Sequence, residues 1–323
     1  MDCQLLPISA FEHYEKQWDT LNTAGPNTPV LSTNFVKPLL HHFGTQKEKL
    51  VVFGSTEKPT ALAVIVKDRF GSYITFQPSQ APIGLWVQDA HANTAELLAV
   101  LFKKLPITTM VFGLTQQDPD LMPRPEKQGH VSTLDYIETG RVSLNKSFDE
   151  YWAERGKNLR QNLNRQRNRL EREDVERTLK TLTNPDDVIE AIKQYGVLET
   201  AGWKNDQGTA IHVDNAQGKF YISMLQTFCN EGNGIIYQYF YNQELVATDL
   251  CIRNENQLII LKTTYNEDIS TSSPAMLMRK ESFPPLFEEK KSKTIEFYGK
   301  VMNWHTKWTK EIRTMYHINF KRF

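Results

Sequence analysis

Three carboxylates and one hydroxyl-rich turn are the parts of this sequence best suited to chemistry. Asp249 stands inside an apolar run, Val246-Ala247-Thr248-Asp249-Leu250-Cys251-Ile252. If buried there, its carboxyl is pushed above the usual range, as a general base requires. Period-2 alternation equally allows it a solvated face. Glu199 precedes Trp203-Lys204, a pair that either lines an acceptor groove or simply packs. Glu296 and Tyr298 follow in Ile295-Glu296-Phe297-Tyr298. The three carboxylates are candidate bases and Tyr298 a candidate acid; Tyr298 reads equally as a half-buried core aromatic. The turn Ser270-Thr271-Ser272-Ser273 runs into Pro274, a residue suited to the first position of a helix. Free amides at such a terminus, with the helix dipole, make a cradle for phosphate, and Arg279 and Lys280 add charge beyond it. The same pattern also describes an ordinary serine-capped helix.

A second charged feature is the segment 155–172, with six Arg and one Lys against one Glu. Leu159, Leu163 and Leu170 form only a narrow apolar stripe, so a helix here presents a broad cationic face. Three readings compete: contact with RNA phosphates, attraction of an anionic glycan, sugar nucleotide or cofactor phosphate, or a solvated helix paired with acids elsewhere. Other motif classes are absent. No HExxH, GxSxG or GxxxxGK[ST] occurs, and His41-His42 is poor spacing for joint metal ligation, so no metal is expected.

Composition sets the outer bounds. The chain has 323 residues, enough for two ordinary domains, and 38 basic residues balance 38 acidic ones. That balance argues against a polycationic nucleic-acid binder but allows one local patch. Hydrophobic residues at 40% suffice for a real core. Cys3, Cys229 and Cys251 are too few and too scattered for a disulfide framework or a zinc pair. The first residues lack the pattern of a secretory leader, and the longest apolar run, 61–66, is far too short to span a bilayer. These features together predict a soluble, cytoplasmic protein.

The elements that must position these residues fall into two halves, 1–142 and 143–323. In the first, helices are predicted over 11–21, 34–43 and 93–104, and strands over 49–54, 60–67, 73–77, 108–114 and 134–144. The second opens with a helix at Lys146-Ser147-Phe148 and continues through the basic helix to a strand at 176–182. Asn184-Pro185-Asp186-Asp187 is a strong helix start. Phe220, Tyr221, Met224, Leu225 and Phe228 mark another helix, ended by Gly232-Asn233-Gly234. Strands at 235–241, 245–253 and 258–265, separated by short polar turns, predict an antiparallel meander. The helix from Pro274 should break or kink at Pro284-Pro285. Strands at 294–298 and 313–320 complete the chain. Both halves share an order of helices, paired strands, helix and strand, without a residue-level repeat.

Four segments carry a resemblance. These are the basic helix from Lys157 to Glu171; Glu199-Thr200-Ala201-Gly202-Trp203-Lys204; Ser273-Pro274-Ala275-Met276-Leu277; and Ile295-Glu296-Phe297-Tyr298-Gly299 with Lys307-Trp308. Over about residues 145–310 the chain resembles the CelD-like acetyltransferases, a branch of the GNAT superfamily linked to cellulose and exopolysaccharide biosynthesis; the Fem-type aminoacyl transferases are more distant relatives. The resemblance implies an α+β protein of tandem GNAT-like domains, with mixed, mostly antiparallel sheets flanked by helices. It implies acyl transfer from acetyl-CoA or another acyl-CoA, as co-substrate, to an amino group on a small molecule or a glycan precursor. Thr263, Thr264, Ser270, Thr271, Ser272, Ser273, Ala275 and Arg279 would then hold the cofactor. Trp203, Lys204, His305 and Lys307 would bind the acceptor, and Glu199, Asp249, Glu296 and Tyr298 would serve catalysis. Direct attack without a covalent enzyme intermediate is implied. Ala275 stands where the family usually has Gly, and of the general phosphate-loop pattern, falling on Ser270, Ser273 and Ala275, only the last position conforms. Two alternatives stand beside this reading: a Fem-like transferase using aminoacyl-tRNA, for which the basic helix is the RNA contact, and a non-catalytic binding protein on the same fold.

Overall fold

A computed structural model describes residues 2–127, 129–200, 211–269 and 271–323. Trp203, Lys204 and Ser270 lie outside the described residues. The chain forms two compact units, 1–139 with 313–323, and 140–312. The sequence places one boundary near the first of these divisions, between 142 and 143. It gives no sign that the last strand returns to the first unit, because nothing local in a strand names its partner.

In the first unit, β1 (Cys3–Pro7) is followed by α1 (Glu15–Ala24) and α2 (Thr33–Phe43). Next come β2 (Lys49–Gly54), β3 (Pro59–Arg69), β4 (Ser72–Thr75), the short β5 (Trp86–Gln88), α3 (Thr94–Lys104) and β6 (Val111–Gln117). Strands β1 to β4 pair antiparallel in sequence order. Helix α3 then crosses over, and β6 returns parallel to β4, pairing at Ser72–Val111, Tyr73–Phe112 and Ile74–Gly113. A parallel return demands a crossover of this kind, which α3 supplies. Asn93 caps α3 by accepting from the amides of Ala95 and Glu96. Trp86, Leu97, Leu101, Phe112 and Ile318 are buried in this unit's core.

The chain continues as β7 (Val131–Ser143), α4 (Phe148–Ala153), α5 (Lys157–Arg172) and β8 (Arg177–Leu182). It then forms α6 (Val188–Thr200), α7 (Ala216–Asn230), β9 (Gly234–Tyr241), β10 (Glu244–Arg253) and β11 (Gln257–Tyr265). Last come α8 (Pro274–Glu289), β12 (Thr294–Glu296), α9 (His305–Trp308) and β13 (Glu311–Lys321). In the second unit the meander expected from the sequence is present and β8 joins it, so that β8 to β11 pair antiparallel in order. Helix α8 crosses over, and β12 pairs parallel with β11 and antiparallel with residues 141–143 of β7. In the first unit the corresponding place beside β6 is taken by β13, through Tyr316 to Lys321. Both units thus carry one topology, four antiparallel strands, a crossover helix and a parallel strand. This is the α+β, tandem GNAT-like arrangement.

One sequence expectation fails in α8. The helix runs unbroken from Pro274 to Glu289 with Pro284 and Pro285 inside it. Each proline removes one amide donor, but Phe283, Leu286 and Phe287 are buried in the core on either side of the pair, and their packing holds the helix across it. It ends at Lys290, whose φ of 51° turns the chain out of the helix.

The two units differ where the parallel strands part. In the first, Thr75 and Thr115, just past the last β4–β6 pair, hydrogen-bond through their hydroxyls at 2.7 Å. Gly84 donates its amide to the Thr115 carbonyl, and Leu85 donates to that of Phe76. The wedge is filled by the chain itself, and only glycine fits: a Cβ on residue 84 would lie 2.4 Å from Thr75 Oγ1 and 2.6 Å from the Thr115 carbonyl oxygen. Gly84→Ala should therefore cost about 1–3 kcal/mol of stability, read as a lowered urea midpoint with unchanged slope.

Candidate active site

In the second unit the same wedge is open. β11 and β12 pair only at Gln257–Thr294, Leu258–Ile295 and Ile259–Glu296. β12 then ends, while β11 runs on to Tyr265, paired on its other side with β10. A cavity of about 350 Å³ lies beside this parted edge, lined by Thr263, Tyr265, Ser272, Ser273, Ala275, Met276, Arg279, Trp304 and Lys307. Six of the sequence-proposed residues meet here: Thr263, Ser272, Ser273, Ala275, Arg279 and Lys307.

The floor is built around a buried ion pair. Asp249 on β10 and Arg279 on α8 are only 1% and 2% exposed, with Arg279 Nη2 3.3 Å from Asp249 Oδ1. Thr263 lies opposite Asp249 on β11. It donates its hydroxyl to Asp249 Oδ1 at 2.5 Å and accepts from Arg279 Nη2 at 2.7 Å. This settles the Asp249 alternatives in favour of burial. Burial raises its carboxyl above the usual range, opposed by the Arg279 charge and the Thr263 hydrogen bond. Arg279 also lies over the Trp304 ring, 4.4 Å from its centroid, while its Nε is buried with no hydrogen-bond partner among the described residues.

The hydroxyl-rich turn forms one wall. Ser272 is buried and shares a 2.8 Å hydrogen bond with the Tyr241 hydroxyl. The Ser273 amide donates to Gln166 Oε1 at 3.1 Å, and Gln166 Nε2 reaches back to Ser273 Oγ at 3.5 Å. Thr271 is exposed. The turn therefore opens α8 as expected, but one of its amides already holds a side-chain oxygen. Gln166, with Tyr241, Tyr265, Met276 and Trp304, was not among the residues singled out from sequence. For Gln166 a signal exists: Leu159, Leu163, Gln166 and Leu170 lie on one helical stripe at i, i+4, i+7 and i+11, and a lone polar residue in an apolar stripe asks for a buried partner.

Trp304 lines the cavity, whereas His305, proposed from the sequence to bind the acceptor, does not; it is buried beside Trp304. Their rings stack at 3.5 Å between centroids, and His305 Nδ1 accepts the Met302 amide at 2.9 Å. Burial, helped by the Arg279 charge, lowers the imidazole to about 4. His305 is thus neutral at pH 7, with its proton on Nε2 because Nδ1 is the acceptor. Lys307 stands exposed at the rim.

Other proposed residues fall elsewhere. Thr264 is one step along β11 from Thr263, so its side chain points to the other face of the sheet, where it is buried. Ile295 belongs to the core under α8, which turns Glu296 to that same other face; it is buried and accepts from the Thr294 hydroxyl at 3.2 Å. Glu199, at the end of α6, is buried and accepts the Ile211 amide at 2.7 Å, which ties Ile211 to that helix. Tyr298 is half-buried with φ at 42°. None of these four lines the cavity. The cationic helix is partly spent: Arg167 and Arg169 face Glu171 and Glu173, and Arg155 donates to the Trp308 carbonyl.

Residues 157–305 match the family model described as an acetyltransferase (GNAT) domain. No curated protein matches the chain by sequence. Among solved structures the chain is similar to a conserved protein of unknown function from Bacteroides thetaiotaomicron, at a TM-score of 0.59 and 10% identity over 95% of this chain and 97% of that one. It is similar to FemX, at 0.60 and 8% over 99% and 97%. A tandem GNAT protein from the clavulanic acid biosynthesis pathway aligns at 0.50 and 11% over 98% of both chains. At these identities the likeness is one of fold, and that fold is the GNAT acyltransferase fold. Among the described residues no helix is long and apolar enough to cross a membrane, and no cluster of His, Cys, Asp and Glu offers a metal site.

Two outcomes follow from the buried groups. Asp249→Ala strands Arg279 without its counter-charge and should cost about 3–5 kcal/mol, whereas Asp249→Leu with Arg279→Met should cost markedly less; urea unfolding of both variants tests this. Because folding holds His305 at about 4 against an ordinary 6.5, the unfolded chain binds the proton more readily between those values. Stability should fall as pH drops through that window. His305→Asn, which keeps an acceptor for the Met302 amide, should flatten that part of the Tm–pH curve; an unchanged slope would mean that His305 titrates normally.

Proposed function

We propose that the second unit is an N-acyltransferase that uses acetyl-CoA or another acyl-CoA and delivers the acyl group to an amine, on a sugar or a polysaccharide precursor. The observation that carries this is the open wedge: a parted β11 edge, the N-terminus of α8 and one cavity at the same place. The residues present fit the group. The Ser273 amide already binds a carbonyl-type oxygen from Gln166, the kind of acceptor a pyrophosphate oxygen also is. The apolar faces of Met276 and Trp304 suit the pantetheine arm, and Lys307 at the rim suits the phosphates.

A bound acyl-CoA supplies a thioester carbonyl open to a nucleophile. The chain's own contribution is orientation and polarity. The β11 edge past Ile259 presents backbone groups along the cleft. The buried Asp249–Thr263–Arg279 cluster gives the floor a fixed dipole that needs no reorganisation during transfer. His305, stacked on Trp304, holds that wall residue in place. Asp249 lies with both neighbours engaged, so the acceptor's proton leaves to water or to a group not on the cavity wall. Among the described residues no activated Ser or Cys nucleophile lines the cavity, which fits direct attack.

A second reading keeps the site and changes the donor to aminoacyl-tRNA. It is favoured by the placement of α5, whose Gln166 touches the turn while Arg165 and Arg172 on the same helix pair with no acid among the described residues. Acetyl-CoA and an aminoacyl-tRNA stem separate the two. At a concentration one hundred times Kd, acetyl-CoA should stabilise the protein by about 2.7 kcal/mol. Ser273→Asp should weaken it roughly tenfold or more through like-charge repulsion, and Gln166→Ala should tighten it by removing the resident acceptor. A salt-sensitive shift with the RNA stem and none with acetyl-CoA selects the second reading. A folded protein that responds to neither is a binding protein on a transferase fold.

A further inference from the structure

The first unit carries a surface that acyl transfer does not use. Phe70 is 84% exposed and Ile107 81%, with Met110 at 48%. Single exposed apolar residues are ordinary, but these three converge. Phe70 sits in the turn between β3 and β4; Ile107 and Met110 sit in the connection from α3 to β6. The turn and the connection are stitched together: Met110 and Val111 donate their amides to the Gly71 carbonyl at 2.7 and 3.2 Å. The last strand joins the same end, because Arg322 donates its amide to the Met110 carbonyl and its Nε to that of Thr109.

The charge around this end is one-sided. Lys67, Arg69, Lys103 and Lys321 are exposed, and Arg322 is half-buried over the Phe102 ring. On the same turn Asp68 lies 3.8 Å from Arg69, while Lys104 is paired with Asp2 at 2.9 Å. The end therefore keeps a net positive charge around three protruding apolar side chains.

We infer that this end of the first unit docks onto an anionic lipid surface. The apolar side chains come from two separate segments, each strongly exposed. A fluid interface accepts such projections one by one, while the cations complement acidic headgroups. Attachment is peripheral, by insertion of side chains at the boundary between headgroups and acyl chains.

Flotation of the whole protein with vesicles of phosphatidylcholine, with and without phosphatidylglycerol, tests the inference. The protein should float with the anionic vesicles and be released as salt is raised from about 0.1 M to about 1 M, since the screening length falls from about 10 Å to about 3 Å. Phe70→Ser with Ile107→Ser should lower partition roughly tenfold or more. Both sites are exposed, so an unchanged Tm verifies the fold of that variant. Arg69→Glu with Lys321→Glu should abolish the preference for phosphatidylglycerol. Absence of flotation with either vesicle overturns the inference, as does flotation that the variants leave unchanged. Concentration-dependent self-association that Phe70→Ser abolishes, without flotation, would assign the patch to a protein interface and overturn it too.

Discussion

A strand that parts from its neighbour leaves backbone amides and carbonyls with nothing to bond, and that debt must be met by something. Both units of this protein contain such a parting, because in each the parallel strand that follows the crossover helix pairs for only three residues. The first unit meets the debt internally, with the Gly84 and Leu85 amides and the Thr75–Thr115 hydroxyl pair. The second unit keeps β11 long and β12 short, and a cavity stands at the gap. One topology thus yields a closed wedge and an open one, and the difference lies in a few residues after the fourth strand. Phe76 to Leu85 fold back into the sheet; the corresponding chain in the second unit turns away to start α8.

An open wedge is a weak point in a sheet, and the buried ion pair is placed where it compensates. Asp249 and Arg279 join β10 to α8 beneath the cavity, with Thr263 fastening β11 to both. Such a pair contributes little net stability, since desolvation offsets most of the attraction. The carboxyl's upward shift despite an adjacent guanidinium shows burial outweighing charge at this site. What the pair supplies is position. Arg279 is fixed by Asp249 and Thr263 on one side and by the Trp304 face on the other, so the cavity wall cannot collapse without stranding a charge.

Much of this was legible in the sequence, for reasons that can be located. The meander was readable because β9, β10 and β11 are β-rich runs broken by polar turns, and α8 because Ser273-Pro274 is a strong start. Ser272, Ser273 and Arg279 were reached from the hydroxyl-rich helix start, and Thr263 through the family resemblance. Glu296 and Thr264 were misplaced for a single reason: the face a side chain takes is set by register, and Ile295 and Thr263, one residue away, hold the face toward α8. The run through Pro284-Pro285 was unreadable because burial of Phe283 and Phe287 overrides a local penalty. β13 was visible as a strand but not as a member of the first unit, since its partner β6 is set by tertiary pairing alone.

Gln166 shows how the cationic helix is tied to the site. A helix with three leucines on its inner stripe has little apolar area with which to hold its place, and the stripe's fourth position is spent on a hydrogen bond to the Ser273 amide. That bond satisfies a donor at the start of α8 that would otherwise need water or a ligand. An anion arriving there must displace the glutamine carbonyl, and in doing so it frees the amide –NH₂ of Gln166, a donor already within reach of Ser273 Oγ. Gln166 therefore stands as a competitor for the Ser273 amide, and α5 would give up one of its few contacts to the site if that amide changed partner.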